Sequence, residues 1–139
     1  MKVTLDRIND DFLFDAKGAS NVSVHIDSKV EDVVNGASPM ELLLMAVGGC
    51  NAIDIVSILK KQRQEITGYH IDVEGRRKEV RQAKPFEAIH VNIHLEGKVD
   101  PAKAKRAAQL SFEKYCSVSI TLEGSVEVTY EVYVNGEKV

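Results

Sequence analysis

Hydrophobic and polar positions along this chain follow two periods, and the changes between them outline the elements. In residues 21–26 (NVSVHI), Val22, Val24 and Ile26 alternate with polar neighbours, the period of a half-buried strand. Val3 and Leu5 suggest another strand before it. A polar stretch ending in Asn35-Gly36 then reads as a loop. Ser38-Pro39-Met40-Glu41 is a helix start: Ser38 can accept an orphan amide proton, Pro39 suits the first helical position, and Glu41 can close a capping box. The following run has no proline and finishes in Lys60, Lys61 and Arg63, which predicts a helix over about residues 39–64.

The first half of that helix, residues 42–47, is apolar on every side, so sheet or another subunit must enclose it. Gly48 and Gly49 sit inside it at a cost of about 1 kcal/mol each relative to alanine. Such glycines signal close approach of a backbone or a ligand. Beyond Thr67-Gly68 the period becomes two, with Ile71, Val73 and Gly75 on one face, then Ile89, Val91, Ile93 and Leu95 on a face of the next strand. The RRKEVRQAKP segment between them reads as a hairpin tip. Asp100-Pro101 caps a second helix over about residues 101–115, and SVSITLEG links it to a closing strand with Val126, Val128, Tyr130, Val132 and Val134. The predicted fold class is α+β, in one domain spanning residues 1–139.

Composition narrows the function classes. Hydrophobic residues make up 44% and charged residues 28%, a globular balance, and the formal charge of -3 gives no reason to expect nucleic acid. The N-terminal stretch reaches Asp6 without an apolar run of signal or membrane-span length, so no membrane is expected and the expected location is cytoplasmic.

Two cysteines, Cys50 and Cys116, are too few for a disulfide framework or, alone, for a zinc site. Core packing and redox chemistry remain open for both. Cys50 follows the two glycines, which leave room for a small substrate against its sulfur. Cys116 stands where a helix ends, and a new helical turn after it would favour a thiolate. Sixty-six positions separate them, so only the fold can bring the sulfurs within disulfide reach, about 7 Å between Cα atoms. Asp54, four residues after Cys50 on the same helix face, would oppose a Cys50 thiolate, or is tied to amides or an arginine as a buried carboxylate. Arg76 and Arg77 point to opposite faces of a strand; one of them reaches inward to Glu41, Asp54 or a thiolate, or both are solvated at the hairpin end. His90 and His94 lie about 13 Å apart along a strand, too far to chelate one ion, and phosphate-loop signatures are absent. Neither a metal nor another cofactor is expected.

Read together, SPMELLLMAVGGCNAIDIVSILKKQRQ and EKYCSVSITLEGSVEVTYEV resemble the two signature blocks of the OsmC/Ohr family, osmotically inducible and organic-hydroperoxide-resistance proteins, closest to its YhfA-like branch. The resemblance implies an OsmC-like fold, an antiparallel sheet wrapped around a long buried central helix, in an intertwined homodimer with active sites at the subunit interface. It further implies a peroxidase in which Cys50 attacks an organic hydroperoxide and Cys116 resolves the sulfenic acid as a disulfide, which an external dithiol, lipoyl-type as one option, then reduces. The alternative is a dimer that binds a small apolar ligand or senses redox state, with the cysteines lining the interface cleft. Two positions depart from the family's peroxidases. Met40 stands where they carry a glutamate, with Glu41 one place later and about 100° around the helix. Asn9-Asp10-Asp11 occupy the region of their activating arginine, leaving Arg76 or Arg77 as the candidate substitute.

Overall fold

A computed structural model describes residues 1–139. The chain forms two compact units, residues 1–43 and 44–139, with the long helix running through the boundary.

In the first unit, strands β1 (Thr4–Arg7), β2 (Phe14–Lys17) and β3 (Ser23–Ile26) form an antiparallel sheet in that order. The middle strand, β2, carries no periodic signal of its own and was not expected from the pattern. After β3 the buried Asp27 carboxylate accepts from the amides of Ser28 (2.8 Å) and Asn35 (2.9 Å), folding the loop back so that Ala37 lies beside Ile26. The capping box then opens helix α1 (Pro39–Lys61) as the sequence predicts. The Ser38 amide donates to Glu41 Oε2 at 2.7 Å, and the Glu41 amide to Ser38 Oγ at 3.3 Å. The helix ends three residues earlier than expected, because the chain turns out at Arg63, which takes a left-handed φ of 56°.

In the second unit, β4 (Glu65–Arg77) and β5 (Phe86–Lys98) form the expected antiparallel hairpin, closed at its tip by Val80 and Ala83. The strand β6 (Glu127–Val134) pairs with β5 in parallel, and the short β7 (Glu137–Lys138) returns antiparallel to β6. The sheet is therefore mixed, which corrects the expected all-antiparallel arrangement. A parallel neighbour requires a long crossover, and residues 99–126 supply it. That crossover holds α2 (Pro101–Leu110), capped by Asp100 accepting from the Lys103 amide, then a π turn (Ser111–Tyr115), then α3 (Ser117–Leu122). The residues read from the sequence as a plain link thus contain a helix.

One face of the sheet carries the core. Ile89, Val91, Ile93 and Leu95 of β5 are buried with Val132 and Val134 of β6, Ile55 and Leu59 of α1, and Ala104, Ala107 and Ala108 of α2. Gly48 explains how closely α1 lies on β4: a Cβ there would meet Val73 Cγ2 at 2.8 Å. Gly49 is different, with nothing within 4 Å of where its Cβ would be. The expectation of close approach holds within the chain for Gly48 alone. Met45 and Ile53, four residues to either side of Gly49, are 58% and 73% exposed, so the chain itself does not enclose its most apolar helix.

Candidate functional site

Cys50 stands on α1 two residues after the contact of Gly48 with β4 and is half-buried. Cys116 reaches the same place from the other side of the sequence. The π turn brings it there: the Cys116 amide donates to the Ser111 carbonyl at 2.8 Å, closing a loop one residue wider than an α-helical turn. The chain then extends at Cys116 (φ -70°, ψ 99°) before α3 begins, and Cys116 is fully buried. Both cysteines are free thiols, and Cys116 is near enough to help push the Cys50 thiol up. The pair is not at disulfide distance. A bridge needs the sulfurs at about 2.05 Å, so closing one requires a thiol to move.

Burial pushes the Cys50 thiol above its ordinary range. The Val118 amide, donating to the sulfur, pulls it back, while the neighbouring Cys116 and the charge of Asp54 push it further up. The sequence-based concern over Asp54 thus has the right sign.

The residues that sequence reasoning missed are polar and buried. Asn51, one place after Cys50, has no exposed surface; its Nδ2 donates to the Val47 carbonyl (2.8 Å) and to Ser119 Oγ (3.2 Å). Its Oδ1 accepts from Ser111 Oγ at 2.8 Å. The donor to the Val47 carbonyl fixes which end of the amide is which. Ser111 Oγ also lies 3.1 Å from Asp54 Oδ2, so its one proton is shared between Asn51 and Asp54, and Asp54 stands beside a serine hydroxyl rather than amides or an arginine. At the other end, Ser119 donates twice to Cys116 Sγ, from its hydroxyl at 3.1 Å and its amide at 3.3 Å. A continuous chain of hydrogen bonds therefore runs Asp54, Ser111, Asn51, Ser119, Cys116. Asn51 alone left a trace in the sequence, as the first polar residue of an apolar run. Ser111 and Ser119 look like ordinary surface serines.

The other candidate residues lie elsewhere. Arg76 is paired with Glu87 (3.2 Å), and Arg77 donates to the Lys84 carbonyl and lies over the Phe86 ring, both exposed near the end of the hairpin. Their guanidinium groups are held there and not at this chain's own cysteines. Glu41 is committed to the helix cap, and the Ser38 hydrogen bonds hold its carboxyl below the ordinary range. His90 meets Thr129 and Asn92, and His94 stacks on Tyr133, all on the outer face of the sheet. No group of three or more His, Cys, Asp or Glu is arranged to hold a metal ion. Beside Ser119, a hollow of about 360 Å³ is lined by Phe112, Ile120, Val126, Val128 and Tyr130, with Glu113 and Glu123 among its polar residues.

A profile of the OsmC family, described as OsmC-like protein, matches residues 27–131, which include both cysteines and the serine–asparagine chain between them. The chain belongs to the OsmC-like family. It is 39% identical over 124 residues to Protein YhfA of Escherichia coli K12, covering 87% of this chain and 89% of that one. Among solved structures, a hypothetical protein from Aquifex aeolicus VF5 is 32% identical with a TM-score of 0.81, covering 96% of each chain. The organic hydroperoxide resistance protein OhrB of Bacillus subtilis shares the fold at 21% identity and a TM-score of 0.63, with 94% of this chain and 96% of that one covered. By length and composition α1 would suffice to cross a membrane, yet in this family fold one of its faces packs on a sheet and carries Asn51.

Proposed function

We propose that this protein is a thiol-dependent peroxidase that reduces organic hydroperoxides, with Cys50 peroxidatic and Cys116 resolving. The Cys50 thiolate attacks the O–O bond; an S–O bond forms, the O–O bond breaks, and the departing alkoxide takes a proton to become the alcohol. Cys116 then attacks the sulfenic sulfur, forming the disulfide and releasing water. An external dithiol, of lipoyl type for example, restores both thiols. The observation that carries this reading is that the fold brings a half-buried Cys50 near enough to a fully buried Cys116, 66 positions away, for Cys116 to raise its ionisation. Free thiols suit the reducing cytoplasm, where we place the protein. The working form in this reading is a homodimer, supported by the exposed Met45, Gly49 and Ile53 stripe on α1. Native mass spectrometry after a stoichiometric pulse of cumene hydroperoxide tests the chemistry. A loss of two hydrogens mapping to a Cys50–Cys116 bridge, abolished in Cys50→Ser, is expected; equal activity in Cys50→Ser, Cys116→Ser and the native chain would falsify it.

The second reading is a non-enzymatic dimer that binds a small apolar ligand. It is favoured by the upward push of burial and Asp54 on Cys50, and by the hollow beside Ser119, which has Phe112, Ile120, Val126, Val128 and Tyr130 among its walls. A co-purifying apolar ligand, with both thiols intact after the pulse, would select it.

A further inference from the structure

We propose that reduction of the Cys50–Cys116 disulfide runs in one direction: the reductant's thiolate attacks the Cys50 sulfur and Cys116 departs as the thiolate, received by Ser119. This deepens the peroxidase reading in taking the bridge as the oxidised form, but it depends on the bridge and not on which oxidant makes it.

Thiol–disulfide exchange is set by which sulfur can be approached and which leaves more readily. Approach favours Cys50, a partly exposed residue, over Cys116, which has no exposed surface. Departure favours Cys116, whose sulfur receives two donors from one residue, the Ser119 hydroxyl at 3.1 Å and the Ser119 amide at 3.3 Å. A sulfur that gathers negative charge as it leaves is stabilised by preset donors that need no reorganisation.

The donor is preset because of what stands behind it. Ser119 Oγ accepts from Asn51 Nδ2, which leaves its single proton free to point at Cys116. Asn51 cannot turn round, because Nδ2 also donates to the Val47 carbonyl and Oδ1 accepts from Ser111. The hydrogen bonds from Ser111 through Asn51 to Ser119 thus all point towards the Cys116 sulfur, and bonds in such a chain polarise one another in the same sense. Asn51 is accordingly a positioning residue, and Ser119 the donor that touches the reacting sulfur.

In the reductive step one new S–S bond forms between the reductant and Cys50, while the Cys50–Cys116 bond breaks and its electron pair goes to Cys116 Sγ. The reductant's second thiolate then attacks its own sulfur in the mixed disulfide, releasing the Cys50 thiolate and a cyclic disulfide. Two electrons pass from dithiol to protein, and both protein sulfurs take up protons.

The test uses full-length protein oxidised with diamide, so that the bridge forms without a hydroperoxide. It is then treated with an excess of 2-nitro-5-thiobenzoate, with iodoacetamide added to trap the released thiol, and mapped by peptide mass spectrometry. The expected product carries the mixed disulfide on Cys50 and the alkyl group on Cys116. Stopped-flow reduction by dithiothreitol should slow roughly ten-fold or more in Ser119→Ala, the loss of a hydrogen bond to a charged group. Ser119→Thr, which keeps the hydroxyl, should restore it. Adduct on Cys116, adduct divided equally, no bridge with diamide, or an unchanged rate in a folded Ser119→Ala each overturns the proposal. If Ser119→Ala does not fold, the adduct position in the native chain still decides. A bridge made by diamide but not by cumene hydroperoxide, with the adduct on Cys50, would instead remove the peroxidase reading and leave the direction of reduction standing.

Discussion

Replacing Asn51 by alanine removes the side chain that joins α1 to both the π turn and α3 of the crossover. Its side chain makes hydrogen bonds to the Val47 carbonyl, Ser119 and Ser111 and has no contact with solvent. At roughly 1 kcal/mol net for each bond, the loss is about 3 kcal/mol, before any cavity cost is added. One partial offset exists: Ser111 keeps Asp54 Oδ2 as an acceptor at 3.1 Å, so its hydroxyl is not orphaned. The expected destabilisation is therefore about 2–4 kcal/mol, or about 6–16 °C in Tm for a chain of this size. Urea and thermal denaturation at one fixed protein concentration measure it, since self-association would otherwise shift the midpoint. A cycle with Ser111→Ala should show a coupling of about 0.5–1.5 kcal/mol, because those two side chains are in direct contact. A cost under about 0.5 kcal/mol for Asn51→Ala, or strict additivity with Ser111→Ala, would refute the view of this chain as a connected, buried network.

Cys50 reactivity should rise with pH through and beyond the ordinary thiol range, since burial raises its ionisation; in Asp54→Asn the iodoacetamide rate profile should move to lower pH, as a charge opposing the thiolate is gone, and an unmoved profile would dismiss Asp54 as an influence. Gly75→Ala should destabilise by about 1–3 kcal/mol, because its Cβ would lie 2.2 Å from Phe86 Cε1 and 3.0 Å from Leu44 Cδ2; wild-type stability in denaturant would show that this contact yields freely. Ile53→Glu, which charges the most exposed large apolar side chain of α1, should convert a dimer to monomers in sedimentation analysis with the helical circular dichroism retained, whereas an intact dimer would place the interface elsewhere.

Much of this fold was legible because it is encoded in short stretches. The box of Ser38 and Glu41 and the cap at Asp100 announce two helices within four residues each, and period-two alternation announces β4, β5 and β6. What escaped depends on partners distant in the chain. Nothing within residues 127–134 says whether that strand runs with or against β5; the direction follows from the crossover. β2 is four residues long and is held by neighbours on both sides, so it needs no strong pattern of its own. At the site, two cysteines were visible as candidates, but Cys116 is brought towards Cys50 by a π turn, which has no local signature. Ser111 and Ser119 escaped for a related reason: a buried hydroxyl with a partner has the same letter as a solvated one. Arg76 and Arg77 are the opposite case: the pattern alone leaves such conspicuous charges either inward or solvated, and only the fold shows that Glu87 and the Lys84 carbonyl hold them at the hairpin end.

The parallel pairing of β6 also governs how the chain comes together during synthesis. The β4–β5 hairpin can assemble from near neighbours, but β6 is made after the crossover and joins only once the whole of it has been laid over the sheet. Until then β5 is an open edge whose inner row is Ile89, Val91, Ile93 and Leu95, a template on which another nascent chain could add its own strand. Nonsense mutations or proteolysis shortly before Glu127 should thus yield aggregates rather than a folded fragment, although such a fragment would still contain both cysteines.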